Sequence, residues 1–160
     1  MINEAWIKTK SQELDIPFFH ILSAYVLETT VRIFAELADA KDFWLEGSDR
    51  LGLDVYKRLV SEKVCYYYTG AKAFKEIKER IQQDLLQAYK KEGFGVEIVS
   101  EEKEGQGFRM NLSMEVCDMY VPFRISLQPF GGEHIFPKEE NLRLFLENNK
   151  TIGIYAYPVE

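Results

Sequence analysis

The chain has 160 residues, 46% of them hydrophobic and 14% aromatic. That is enough for one domain that removes roughly 70% of its unfolded surface from water, and no low-complexity tract or charge block points to disorder. The net charge of -6 opposes non-specific attraction to nucleic acid, so a nucleic-acid partner is not expected. Two cysteines in an acidic chain without a signal segment read as reduced intracellular thiols. His20, Glu28, Arg32 and Glu36 interrupt the longest apolar stretch, Ile16 to Ala38, which therefore does not read as a membrane span. The expectation is one soluble, cytoplasmic domain over 1–160.

Taken in order, Met1 to Leu14 reads as a short amphipathic helix anchored by Trp6 and Ile7, and Pro17 opens a longer one from Phe18 to Leu37. These leader helices occupy 1–39, and a sheet-containing core fills 42–160. Phe43 to Thr69 reads as strand, tight turn, short helix, strand. Gly47-Ser48 sits where the first strand ends, and free backbone N–H groups at the start of the following helix make that turn a candidate phosphate cradle. Alternation along Lys63 to Thr69 aims Lys63, Cys65 and Tyr67 one way and Val64, Tyr66 and Tyr68 the other.

Ala71 to Glu92 is the clearest helix, with Phe74, Ile77, Ile81, Leu85 and Ala88 at helical spacing and Gly93 as its stop. Its Lys72, Lys75, Lys78 and Arg80 form, with Lys57, Arg58 and Lys63, either a basic rim or simply a solvated face. From Gly95 the period becomes two. Val96 to Val99 is a strand, Glu101 to Gly107 a charged turn, and Phe108 to Val116 and Tyr120 to Gln128 half-buried strands, with Pro122 favouring the start or an edge of its strand. Pro137 to Asn148 reads as a short helix with Leu142, Leu144 and Phe145 inward, and Thr151 to Tyr157 as a final strand. The fold class this gives is α+β, a twisted mixed sheet of about five or six strands with helices mainly on one face.

The segment Leu45-Glu46-Gly47-Ser48-Asp49-Arg50-Leu51, then Arg58, then Ser61-Glu62-Lys63-Val64-Cys65, resembles the motif of the AbiEii-type nucleotidyltransferases of bacterial abortive-infection and toxin-antitoxin systems. That family shows hydrophobic-Gly-Gly-Thr-x-Leu, a later Arg, and Ser-Glu-Asp-hydrophobic-Asp. The resemblance extends to the leader helices and to Tyr157-Pro158-Val159-Glu160, which in the family leads into a helical C-terminal region that this chain does not contain. It implies a nucleotidyltransferase-like fold, nucleotide contacts at Gly47, Ser48, Arg58 and Lys63, and a cognate antitoxin as a possible protein partner.

The departures are chemical. With one inserted residue, the family's two metal-binding Asp positions carry Lys63 and Cys65; without it they fall on Glu62 and Val64. The third acid of such folds aligns with Ser126, the nearest acids being Glu115 and Asp118. Nucleotidyl transfer needs divalent ions on oxygen ligands. An ammonium about 4 Å from such an ion is repelled by roughly 8 kcal/mol at an effective dielectric of 20, and a thiol suits zinc better than magnesium. Lys63 against phosphate oxygens, in contrast, keeps binding while giving up catalysis.

Three readings stay open: a nucleotidyltransferase-like pseudoenzyme related to AbiEii toxins, an interaction module using only its surfaces, and an active transferase with its ligands moved to Glu62, Glu115 or Asp118. Mg²⁺ and a nucleoside triphosphate belong to the third alone as cofactors, and no metal ligand set is expected otherwise. A Cys-His pair drawn from Cys65 or Cys117 with His20 or His134 has no favourable spacing. Tyr66, Tyr67 and Tyr68 either stack a base or fill a strand buried on two faces.

Overall fold

In the computed structural model, which describes residues 2–46, 51–58, 63–130, 138–147 and 149–157, the chain opens with a capped helix. The Asn3 side chain accepts the Trp6 N–H at 2.9 Å, satisfying a free donor at the start of α1 (Glu4–Leu14). Asp15 ends that helix in the left-handed conformation, φ 54°. Ile7 is buried, and Trp6 packs edge-on against Tyr25. Pro17 lacks an N–H where none is needed and starts α2 (Phe18–Ala35). This helix is buried on nearly all sides, not along one stripe. It packs against α1, α3 (Leu53–Arg58), α4 (Phe74–Lys91) and the sheet. By length and composition α2 is apolar enough to cross a membrane, and most of it lies inside the fold.

Seven strands are seen among the described residues: β1 (Phe43–Glu46), β2 (Lys63–Tyr68), β3 (Gly95–Glu104), β4 (Gly107–Val116), β5 (Met119–Pro129), β6 (Lys138–Leu144) and β7 (Lys150–Tyr157). They form one mixed sheet in the order β3-β4-β5-β2-β1-β7-β6. β2 pairs parallel with β5 and β1 parallel with β7; the remaining pairs are antiparallel. Alternation sorts the side chains as the sequence implies. Val64, Tyr66 and Tyr68, with Phe108 to Val116 and Val121 to Leu127 at every second position, join the core under the helices. Phe34 of α2 stacks on Tyr66 at 3.9 Å between ring centroids, and Tyr89 of α4 meets Phe123 edge-on. Pro122 sits two residues before the β2 ladder begins at Arg124, so its missing donor faces no partner on that side.

Three expectations need correction. The sheet has seven strands, not five or six. The run Glu101 to Glu104 is not a turn: β3 continues through it, paired Glu102↔Arg109 and Lys103↔Phe108, and only Gly105 (φ 60°) and Gln106 reverse the chain. Opposite charges across the ladder favour that pairing, and a charged edge strand resists pairing with other chains. The segment Pro137 to Asn148 is not a helix where it is described. Leu142 and Leu144 alternate with exposed Asn141 and Arg143 in β6, and a ladder to β7 running from Lys138↔Ala156 to Leu144↔Lys150 outweighs local helix propensity.

One feature of α2 is invisible to periodicity. Glu28, Thr29, Thr30 and Arg32 are all buried on it. The Glu28 carboxylate accepts the Tyr56 hydroxyl at 2.6 Å and the Leu146 N–H at 2.8 Å, tying α3 and the turn after β6 to the central helix. Thr29 donates to Glu147 at 2.7 Å. The Arg32 guanidinium forms a two-pronged pair with Glu92, at 3.0 and 2.7 Å, where α4 ends.

Candidate functional site

The parallel register of β2 and β5 sets Lys63 beside Arg124 and Cys65 beside Ser126. The antiparallel registers add Arg109 opposite Ser126 and Glu46 opposite Cys65. Lys63, Cys65 and Ser126 therefore share the sheet face away from the Tyr66 core. None of the three positions carries a carboxylate.

A carboxylate arrives from elsewhere. Glu104, the last residue of β3, accepts the Ser126 hydroxyl at 2.9 Å, the Lys63 ammonium at 3.2 Å and the Gln128 amide at 3.3 Å, all on Oε1. Arg109 reaches its Oε2 at 3.5 Å and also pairs with Glu102. Gln128 donates to the Glu104 carbonyl as well, at 2.9 Å. Partial burial works to raise the Glu104 pKa, but the hydrogen bonds from Ser126 and Lys63 and the charges of Lys63 and Arg109 outweigh it and hold the carboxyl below its ordinary value. Burial, reinforced by the charge of Glu46 and a hydrogen bond to it, pushes the Cys65 thiol up to about 12. It is a neutral donor, not a nucleophile.

An acid held below its ordinary pKa stabilises the fold above pH 4.5, and that contribution disappears as pH falls through the folded value. Urea unfolding followed from neutrality into the acid range should therefore lose stability more steeply in wild type than in Glu104→Gln. Identical acid limbs would contradict the ion-paired centre.

Of the other candidates, those among the described residues lie apart. Gly47, Ser48, Glu62 and His134 are outside the described residues. Arg58 is exposed on α3, its Nε donating to the Asp54 carbonyl at 3.3 Å. Glu115 stands opposite Tyr120 and Gly95 near the far end of β4, six residues along the strand from Arg109, or roughly 20 Å at strand rise. Asp118 follows in the next turn with φ 61°. Neither acid can share a metal with Lys63 or Cys65, and no group of three or more His, Cys, Asp or Glu among the described residues could hold one. His20 hydrogen-bonds through Nδ1 to the Tyr56 carbonyl at 2.8 Å, and Cys117 lies in the turn with Asp118.

The supposed basic rim divides. Lys78 pairs with Glu101 and Arg80 with Asp39, on a helix that packs against the opposite face of the sheet from Lys63. Of the three tyrosines, Tyr66 and Tyr68 fill the core, while Tyr67 alone shares the Lys63 face, edge-on to Phe130, which itself packs on Trp44. An apolar cavity of about 270 Å³ lined by Phe34, Leu45, Tyr66 and Ile154 is on the helix side and does not reach this centre.

Sequence reasoning missed Glu104, Arg109, Gln128 and Glu46. Reading Glu101 to Glu104 as strand would have found Glu102 and Glu104 on the face of Arg109. Fold and site together define an α+β protein whose polar sheet face carries an ion-paired, hydrogen-bonded centre. No protein-family model matches the chain, and neither curated proteins nor solved structures match it.

Proposed function

We propose that the chain is a nucleotidyltransferase-like protein related to the AbiEii toxins, cytoplasmic, in which catalysis is lost because an internal ion pair stands where the resemblance places the metal. The observation that carries this reading is the Lys63 ammonium 3.2 Å from the Glu104 carboxylate, beside Ser126 and Cys65. A primary ammonium neutralises the carboxylate that a divalent ion would otherwise use, and it offers no ligand of its own. Nucleotide contacts in this reading come from the backbone at Gly47 and Ser48, from Arg58, and from Lys63 once it leaves Glu104. Binding is accordingly weak and independent of magnesium.

Calorimetric titration with ATP, GTP, CTP and UTP, each with Mg²⁺ and with a chelator, tests this on wild type and Lys63→Ala. The expected outcome is weak binding, unchanged by chelator and weakened at least about fivefold in Lys63→Ala. Binding that requires Mg²⁺ would overturn the loss of catalysis. A second reading, the interaction module, is favoured by Val99 and Tyr120, exposed at 64% and 74%, which with Pro122 border a shallow depression on the sheet. Absence of any nucleotide binding supports that reading instead.

A further inference from the structure

Four donors from three strands converge on one carboxylate: Lys63 Nζ from β2, Ser126 Oγ and Gln128 Nε2 from β5, and Arg109 Nη1 from β4 all address Glu104. Ser126 is fully buried, so its hydroxyl has little solvent to turn to. The Arg109 Nε is buried without a hydrogen-bond partner, so the donors exceed what the carboxylate takes up. Arg124, the register neighbour of Lys63, adds another cation to this face. Such a mixture of cations, a hydroxyl and an amide around one pair of oxygens is the donor set that a phosphate group needs.

The occupant is also placed to leave. Glu104 ends the edge strand β3, next to the Gly105–Gln106 turn, so its side chain can swing out without opening the ladder beside it. Lys63 and Arg109 both pair with Glu104, and Arg109 pairs with Glu102 as well. Withdrawal of Glu104 removes a negative charge from beside Lys63 and Arg109.

We infer that this cluster is an oxyanion site closed in the resting protein by the carboxylate of Glu104, and that a phosphate group of a polyphosphate chain takes its place when Glu104 swings aside. The inference deepens the nucleotidyltransferase-like reading by giving its centre a built-in competitor, and it rests on that reading only for the nucleotide, not for the phosphate.

The test is titration of wild type, Glu104→Ala and Glu104→Ala/Ser126→Ala with inorganic tripolyphosphate and with ATP, chelator present, with circular dichroism to verify folding. Glu104→Ala is expected to bind tripolyphosphate at least about tenfold more tightly than wild type, and adding Ser126→Ala to reverse much of the gain. A folded Glu104→Ala that binds no more tightly than wild type overturns the inference while leaving the magnesium-independent reading standing. Equal gains for both ligands assign the site to polyphosphate as such, and a further preference for ATP assigns it to a nucleotide. Should Glu104→Ala not fold, Glu104→Gln, which keeps the bulk and removes the charge, is subject to the same comparison by thermal shift. If that variant also fails to fold, wild type itself must show saturable tripolyphosphate binding in the millimolar range that weakens in Lys63→Ala; absence of such binding overturns the inference.

Discussion

Between roughly pH 4 and pH 8 the wild-type protein should lose about 3 kcal/mol of stability that Glu28→Gln does not lose. Burial pushes the Glu28 carboxyl up from 4.5 to about 7, against hydrogen bonds from Tyr56, Leu146 and Phe145 that favour the charged form and with a further push from Glu147. The folded state thus holds this proton more tightly than the unfolded chain. Its contribution is fully present below pH 4.5 and is lost as pH rises through about 7. A difference near 2.5 units, at about 1.4 kcal/mol per unit, gives the magnitude. Urea unfolding at a series of pH values is the measurement, and a wild-type curve parallel to that of Glu28→Gln would refute it. Glu28→Ala should cost about 3 kcal/mol even at acid pH, because the Tyr56 hydroxyl and Leu146 N–H lose their acceptor inside the core. Glu104 acts with the opposite sign and at lower pH, so the contributions of these two carboxyls are both present only on the acid side of neutrality.

What the sequence disclosed and what it withheld follow from the range of the interactions. Helix α4 was legible because Ile77, Ile81 and Leu85 repeat at helical spacing and Gly93, at φ 87°, stops it. Strands β4 and β5 were legible from strict alternation, and alternation alone put Lys63 and Cys65 on one face. Ser126 beside Cys65 needed the parallel register of two strands more than fifty residues apart, which periodicity cannot supply. Glu104 was lost because a run of acids reads as a solvated turn until its partners Gly107, Arg109 and Asn111 are known. β6 was lost for a related reason: its leucines are too few to separate a helix from a strand, and the decision is made by β7. The buried Glu28 and Arg32 gave no local sign at all, since their compensating partners Tyr56, Leu146 and Glu92 come from three other parts of the chain.

Gly107→Ala should cost more than about 3 kcal/mol, whereas Gly153→Ala should change stability by less than about 0.5 kcal/mol. Both glycines lie in strands, and a strand ordinarily gains from a methyl group that limits the unfolded chain. The difference is space. A Cβ on Gly153 of β7 meets nothing within 4 Å, but a Cβ on Gly107 lies 2.1 Å from the Leu127 carbonyl oxygen and 2.7 Å from Gln128 Oε1. The Gln128 side chain can turn aside, though only by giving up its bonds to Glu104. The Leu127 carbonyl belongs to the backbone of β5, next to the Phe108↔Leu127 pair, and can retreat only if β4 and β5 part. That hairpin also positions Arg109 and Ser126, so the damage should spread: Cys65, inert while buried beside Glu46, should react with a thiol reagent faster in Gly107→Ala than in wild type. Thermal unfolding and thiol-reaction rates of the two variants decide the matter. A Gly107→Ala protein as stable and as unreactive as wild type would mean that β4 and β5 do not approach as closely as the Glu104 centre requires, and the oxyanion site would lose its floor.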